Sequence, residues 1–101
     1  MDYDLTEEAA DDISNIIRYT LRTWGRAQVE RYRQALNACL ERLVSGEVVP
    51  ALALASLPEV YRFRCQHHFI FYTLQGTQRP LIIAVLHERQ DLLAQLSWRD
   101  Q

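Results

Sequence analysis

Apolar residues recur at steps of three and four over the first quarter of the chain, which is the spacing of one helical face. The stripe comprises Ile13, Ile16, Ile17, Thr20, Leu21 and Trp24. Thr6 precedes it as a helix N-cap, and Glu7 and Glu8 lie in the first turn, where the helix dipole favours anions. Gly25 stands where a glycine commonly ends a helix. The pattern therefore predicts a helix that ends at this glycine.

A second stripe with helical spacing follows immediately, from about Arg26 to Ser45. Its apolar members are Val29, Tyr32, Leu36, Cys39, Leu40 and Leu43. Gly46 supplies the stop signal. Because a single glycine joins two long helical patterns, we expect an antiparallel helical hairpin with its arginines mainly on the outward faces.

The rest of the chain is dominated by strand signals. The opening "YDLT" predicts a strand of three or four residues, whereas residues 46–59 lack alternation and contain Pro50 and Pro58, so we interpret them as a loop with at most one helical turn. After Pro58 the period changes to two, a turn falls at 66–68, and 69–74 form the returning strand. "LIIAVLH" is apolar on both faces, as in a central strand, and residues 89–96 predict a short helix.

These elements, in the order β-α-α-β-β-β-α, predict a single domain over residues 1–101. Its class is α+β: an N-terminal strand, an antiparallel helical hairpin packed on a small antiparallel sheet, and a short C-terminal helix. In "YRFRCQHHFIFY", Tyr61 and Phe63 alternate with Arg62 and Arg64, so aromatic and charged side chains lie on opposite faces. Exposed aromatic residues can stack on RNA bases. Two helices need an apolar surface, however, so we expect the aromatic face in the core.

Composition narrows the class of protein. Apolar residues make up 49% and charged residues 24% of the 101 residues, which is an ordinary globular balance. No apolar run approaches the roughly 20 residues that cross a bilayer. Residues 1–12 are acidic, unlike a signal peptide, so a cytoplasmic protein without membrane contact is expected. All eleven basic residues are arginines, which excludes chemistry that depends on lysine.

The two cysteines, Cys39 and Cys65, lack metal-ligand spacing and a disulfide-framework pattern. We expect buried free thiols, because a reducing cytosol disfavours a bridge. A bridge between them is the alternative if a helix covers the sheet.

Histidines are the candidates for a metal site or an active site. His67 and His68 would face opposite ways in a regular strand, and no third ligand is spaced for a metal, so no metal is expected. His87 ends the apolar strand and is followed by Glu88 and Arg89. A solvated strand end is the favoured interpretation, and an active-site residue emerging from the sheet is the other.

One catalytic constellation can be assembled from these residues, that of a metal-free ribonuclease. His67, His68, His87 or Glu88 would supply the base and the acid, and Arg62 or Arg64 would hold phosphate. Such a set is unspecific, since many small proteins offer one. Gly25, Gly46 and Gly76 are isolated, so there is no phosphate-binding glycine loop, and no cofactor is expected.

Three segments carry a resemblance to a known family. They are "YDLTEEAADDISNIIRYTLRTWGRAQVERYRQAL", "LPEVYRFRCQHHFIFYTL" and "LIIAVLHERQDLLAQL". Together they resemble the RelE/ParE superfamily of toxins from type II toxin–antitoxin modules. The N-terminal pattern from "LT" to "WG" and beyond, the "HHFIFY" hairpin and the "VLHERQD" ending are together similar to its ParE branch. The loop "SGEVVPALALASLP" departs from the usual glycine-containing entry to the sheet.

The resemblance implies a toxin that inhibits DNA gyrase and a cognate, ParD-like antitoxin that folds on binding. We expect Arg62 and Arg64 to bind the antitoxin and His87, Arg89 and Trp98 to bind the target, with no catalytic residue and no sequence-specific nucleic-acid binding. The alternative implied by the RelE branch is a ribosome-dependent mRNA endonuclease. The absence of lysine and the net charge of −2 favour the gyrase inhibitor. A third hypothesis is an inactive relic of such a toxin, which only binds its antitoxin.

Overall fold

The computed structural model describes residues 2–74 and 79–87. Within them the chain forms two helices and five strands, and the order agrees with an α+β fold. The elements are β1 (Asp4–Leu5), α1 (Glu7–Trp24), α2 (Arg26–Val44), β2 (Ala51–Leu54), β3 (Leu57–Cys65), β4 (His68–Thr73) and β5 (Leu81–His87). The predicted helix over 89–96 lies outside the described residues.

The helical hairpin begins and ends where its capping residues predict. The Thr6 side chain accepts a hydrogen bond of 3.1 Å from the backbone N–H of Ala9, which caps α1. Gly25 has a φ of 90° and donates its N–H to the carbonyls of Thr20 and Leu21. Because side chains rarely adopt this φ, glycine is the residue suited to joining α1 directly to α2.

The five strands form one mixed sheet in the order β1-β5-β4-β3-β2. β1 runs parallel to β5, and the remaining neighbours are antiparallel. β5 therefore lies inside the sheet, and its middle residues Ile82–Leu86 are all buried, as its apolar sequence predicted. The turn between β3 and β4 consists of Gln66 and His67, with Gln66 at a φ of 58°.

The interpretation of residues 46–59 as a loop is wrong in part. Ala51–Leu54 forms β2, which pairs antiparallel with β3, and Ala51 is opposite Arg62. The pairing is irregular between Leu52 and Leu54, which explains why this segment lacks strict alternation. Pro50 and Pro58 lie just before β2 and near the start of β3, where proline does not interrupt a central ladder.

Both faces of the sheet are buried. We call the face beneath α1 and α2 the helix face; it contributes Cys65, Ile70, Tyr72, Ile82 and Val85 to the core with the helices. The other side is called the opposite face and carries a second cluster of Ala53, Val60, Phe71, Ile83, Ala84 and Leu86. As predicted, Tyr61 and Phe63 pack toward the helix face.

Two tertiary links join the hairpin to the sheet. The Oδ2 atom of Asp12 in α1 accepts a 2.9 Å hydrogen bond from the backbone N–H of Val85, beyond the point where β1 stops pairing with β5. Cys39 of α2 and Cys65 of β3 form a disulfide, with their Cα atoms 6.2 Å apart. The prediction of free thiols is therefore wrong, because packing of α2 on β3 brings these positions within the range of a bridge.

Candidate functional site

The predicted histidines meet at a cavity between the hairpin tip and one end of the sheet. This cavity, called the tip cavity here, has a volume of about 460 Å³. Its walls come from the end of α1, the start of α2, the β3–β4 turn and the ends of β4 and β5. The described residues that line it are Asn15, Ile16, Tyr19, Thr20, Trp24, Gln28, Tyr32, Gln66, His67, His68 and His87.

Strand register explains why two histidines are neighbours. His68, the first residue of β4, is directly opposite His87, the last residue of β5, so both project from the helix face. Their rings are 5.4 Å apart between centroids and nearly perpendicular, at 89°. Tyr32 makes a similar edge contact with His68 from α2, at 5.7 Å. His67 belongs to the turn and is exposed, so the adjacent histidines have different surroundings.

Tyr32 forms an apolar wall of this cavity. Its side chain is 7% exposed, and its hydroxyl is buried without a hydrogen-bond partner among the described residues. Burial raises the pKa of Tyr32 to about 12, and the nearby negative charge of Asp12 adds to the shift. Tyr32 therefore stays protonated at neutral pH and is unsuited to accept a proton there.

The two arginines of β3 lie on the opposite face. Their guanidinium carbons lie over the ring of Phe69, at 4.9 Å for Arg62 and 5.5 Å for Arg64. Arg64 also donates from Nε to the Gln66 carbonyl at 2.9 Å, which ties it to the β3–β4 turn. These contacts combine a cation–π attraction with a backbone hydrogen bond and hold both guanidiniums on that side.

The sheet consequently separates the residues of the ribonuclease constellation. Cys65, His68 and His87 are consecutive cross-strand partners on the helix face. Arg62 and Arg64 alternate with the helix-face residues of β3 and project to the other side. The structure thus brings the histidines together but does not add the arginines to them.

Three sequence-predicted residues, Glu88, Arg89 and Trp98, lie outside the described residues. Among residues 2–74 and 79–87 there is no group of three or more His, Cys, Asp or Glu side chains arranged to hold a metal ion. In the same part of the chain, no helix combines the length and apolar character needed to span a membrane.

Sequence reasoning missed the aromatic part of the tip cavity. Trp24 belongs to the apolar stripe of α1, yet it is 69% exposed, and Tyr19 is 63% exposed. Trp24 is the last residue of α1, immediately before Gly25, so it lies at the tip of the helical hairpin. Its position beside the helix-ending glycine was the available signal, because a helix terminus reaches the margin of a core.

The architecture is similar to that of a solved structure. The fold matches a solved structure described as the chromosomal ParDE TA system from P. aeruginosa, with a TM-score of 0.69. The match covers 86% of this chain and 95% of that chain, at 15% identity, so it concerns the fold alone.

Sequence comparison identifies the family. The family described as the ParE toxin of the type II toxin–antitoxin system parDE matches residues 3–92. The chain is 43% identical over 98 residues to Toxin ParE of Escherichia coli, covering 96% of this chain and 94% of that protein. The protein thus belongs to the class of type II toxin–antitoxin toxins. Within that class, the chain belongs to the ParE toxin family.

Proposed function

We propose that this ParE-family toxin acts by inhibiting DNA gyrase and that a cognate antitoxin neutralises it. Its membership of the ParE family supports both parts of the proposal. Inhibition of this kind requires a binding surface rather than a catalytic constellation. The tip cavity offers such a surface, and it includes His87, one of the residues predicted to contact the target.

The separation of histidines and arginines by the sheet is the observation that favours binding over RNA cleavage. A metal-free ribonuclease needs a base, an acid and a cation that holds phosphate around one scissile bond. His68 and His87 face the helices, whereas Arg62 and Arg64 lie over Phe69 on the other side. Within the described residues, these candidates therefore do not surround a common site.

The proposal is tested by adding purified toxin separately to a gyrase supercoiling reaction and to translating ribosomes. Inhibited supercoiling with intact mRNA is the expected result, and added antitoxin should restore supercoiling. Cleaved mRNA with normal supercoiling would instead establish the ribonuclease. The variant His87→Ala sharpens the choice, because loss of an essential acid or base costs on the order of 100-fold or more. A binding residue at the edge of a surface should cost much less.

The opposite face supplies the proposed antitoxin contact. Arg62 is half-buried and Arg64 is exposed, and both guanidiniums lie over Phe69. Acidic side chains of a segment that folds on binding can pair with such guanidiniums, and charge-assisted bonds of this type are worth roughly 1.5–3 kcal/mol each when shielded. We therefore place the antitoxin against these arginines.

The double variant Arg62→Ala, Arg64→Ala tests that contact. Antitoxin affinity should fall by at least about tenfold, which corresponds to roughly 1.4 kcal/mol. Arg33→Ala is a suitable control, because Arg33 is an exposed arginine on α2 that lines a groove away from β3. An unchanged dissociation constant at low salt would remove both β3 arginines from the interface.

A further inference from the structure

The tip cavity has a chemical character that the fold does not require. Trp24 and Tyr19 are largely exposed, at 69% and 63%, although both are large aromatic residues. A stable helical hairpin has no need of them there, because other residues of α1 are the buried ones, namely Ala9 and Thr20. Aromatic side chains at the rim of a concave site are typical anchors of protein interfaces.

Among the residues that the structure describes, none of those that line the cavity carries a carboxylate. His67, His68 and His87 contribute imidazole nitrogens to this lining, and such nitrogens can donate hydrogen bonds to carboxylates. The Nε atom of Arg31 donates a 3.0 Å hydrogen bond to Oε1 of Gln28, which places a guanidinium beside this wall. The cavity therefore favours a ligand that combines negative charge with an apolar or aromatic group.

We propose that the tip cavity binds an acidic segment of the toxin's target protein, with one bulky aromatic or aliphatic side chain held between Trp24 and Tyr19. This inference rests on the proposed gyrase inhibition and extends the target-binding surface from His87 to the hairpin tip. Carboxylates of the segment lie toward Arg31 and the imidazoles. Arg62 and Arg64, on the other side of the sheet, remain with the antitoxin, so the two partners have separate principal contacts.

Two variants test the aromatic and the electrostatic parts. Trp24→Ala removes an exposed anchor and should raise the toxin concentration for half-inhibition of supercoiling by about tenfold or more. Gln28→Glu adds a carboxylate of nearly the same shape, which can still accept the Arg31 hydrogen bond, and should also weaken inhibition about tenfold through repulsion of an acidic ligand.

Gln34→Glu is the matched control for the second variant. Gln34 is exposed on the same helix but lines a different groove, with Leu5 and Ile13. The same chemical change there should alter inhibition by less than about twofold. Inhibition by the wild-type toxin should also weaken more with added salt than inhibition by Gln28→Glu, because salt screens an attraction that the variant has lost.

Antitoxin affinity separates the possible outcomes and reports on folding. Both variants should bind antitoxin as tightly as the wild-type toxin while inhibiting gyrase less. Full gyrase inhibition by both variants would overturn the inference while leaving the proposed function intact. Loss of antitoxin binding by Gln28→Glu, but not by Gln34→Glu, would assign the cavity to the antitoxin and overturn the inference as well. A wild-type toxin that leaves supercoiling untouched would reject the proposed function itself.

Discussion

The two faces of the sheet are equally well buried but carry different groups near the β3–β4 turn. On the helix face, Ile70 and Tyr72 are fully buried beneath the hairpin, and the face ends in His68 and His87. On the opposite face, Phe71 is fully buried as well, but the guanidinium groups of two arginines lie over the ring of Phe69 on the same face. The thin sheet thus lets one short chain present two chemically distinct surfaces.

The consequence for function is a separation of roles. Residues only one position apart in β3 and β4 point to opposite faces of the sheet because side chains alternate along a strand. An apparently dense cluster in the sequence, residues 61–72, is therefore two half-clusters in space. We assign the histidine side to target binding and the arginine side to the antitoxin.

The largest expected effect concerns burial on both faces. Phe71→Ala on the opposite face should lower the free energy of unfolding by about 3–5 kcal/mol, and Ile70→Ala on the helix face by about 2–5 kcal/mol, because each leaves a cavity in a fully packed site. Leu52→Ala, at a side chain that is 51% exposed, serves as the control and should cost about 1 kcal/mol or less. Urea titration measures all three. A cost for Phe71→Ala no greater than the control would mean that the opposite face is not a true core.

The second largest effect on stability is expected from the disulfide, which lies only on the helix face. The Cys39–Cys65 disulfide spans 26 residues of sequence, and a loop of that size implies about 3.5 kcal/mol of stabilisation by restriction of the unfolded chain. Reductant should therefore lower the urea midpoint of the wild-type protein. The double variant Cys39→Ala, Cys65→Ala should not respond to reductant. Two thiols that are alkylated without prior reduction, in protein unfolded under air, would contradict the bridge.

The smallest of the three effects is a pH dependence of the folding stability that arises from a tyrosine on the same side of the sheet. The pKa of Tyr32 is about 12 in the folded protein against 10.0 for the ordinary group, so the folded state holds this proton more tightly. The contribution of this proton to the free energy of unfolding is complete below pH 10. It is lost as pH rises toward 12, by an amount on the order of 2–3 kcal/mol.

The matched pair Tyr32→Phe and Tyr19→Phe checks that assignment. Tyr32→Phe should flatten the fall in stability between pH 10 and pH 12, whereas Tyr19→Phe, at a largely exposed ring, should leave it unchanged. Denaturant midpoints measured across this range give the comparison. If Tyr32→Phe and the wild-type protein lost the same stability between pH 10 and pH 12, other groups, such as the buried Tyr72, would account for that loss.

Local signals predicted much of the fold. The Thr6 cap, Gly25 and the six-residue apolar stripe of α2 specify the hairpin, because helix periodicity and capping involve residues that are close in sequence. The period of two after Pro58 likewise placed Tyr61, Phe63 and Cys65 correctly on one face of β3, which is the helix face. The same reasoning placed three histidines among the candidate site residues.

The failures have a common physical cause. The sequence pattern did not reveal β2, because this strand is defined by its pairing with β3 across an irregular register. The segment is also short and has a proline nearby, so its local sequence does not resemble a strand. Trp24 matched the periodicity of a buried residue, yet its burial depends on how far the sheet extends beneath α1. Free thiols were expected because the cytosol is reducing. Whether a disulfide can form depends instead on where α2 crosses β3, which the sequence pattern does not specify.

The sequence by itself determined the two helices, their junction at Gly25 and the alternation of aromatic and basic residues along β3, because each follows from neighbouring residues. Only the tertiary structure decided that His68 meets His87, that Arg62 and Arg64 lie behind the sheet from them, and that Trp24 stands open at the hairpin tip. These features arise from strand register and helix placement, which join residues far apart in the chain and are fixed only when the whole core packs.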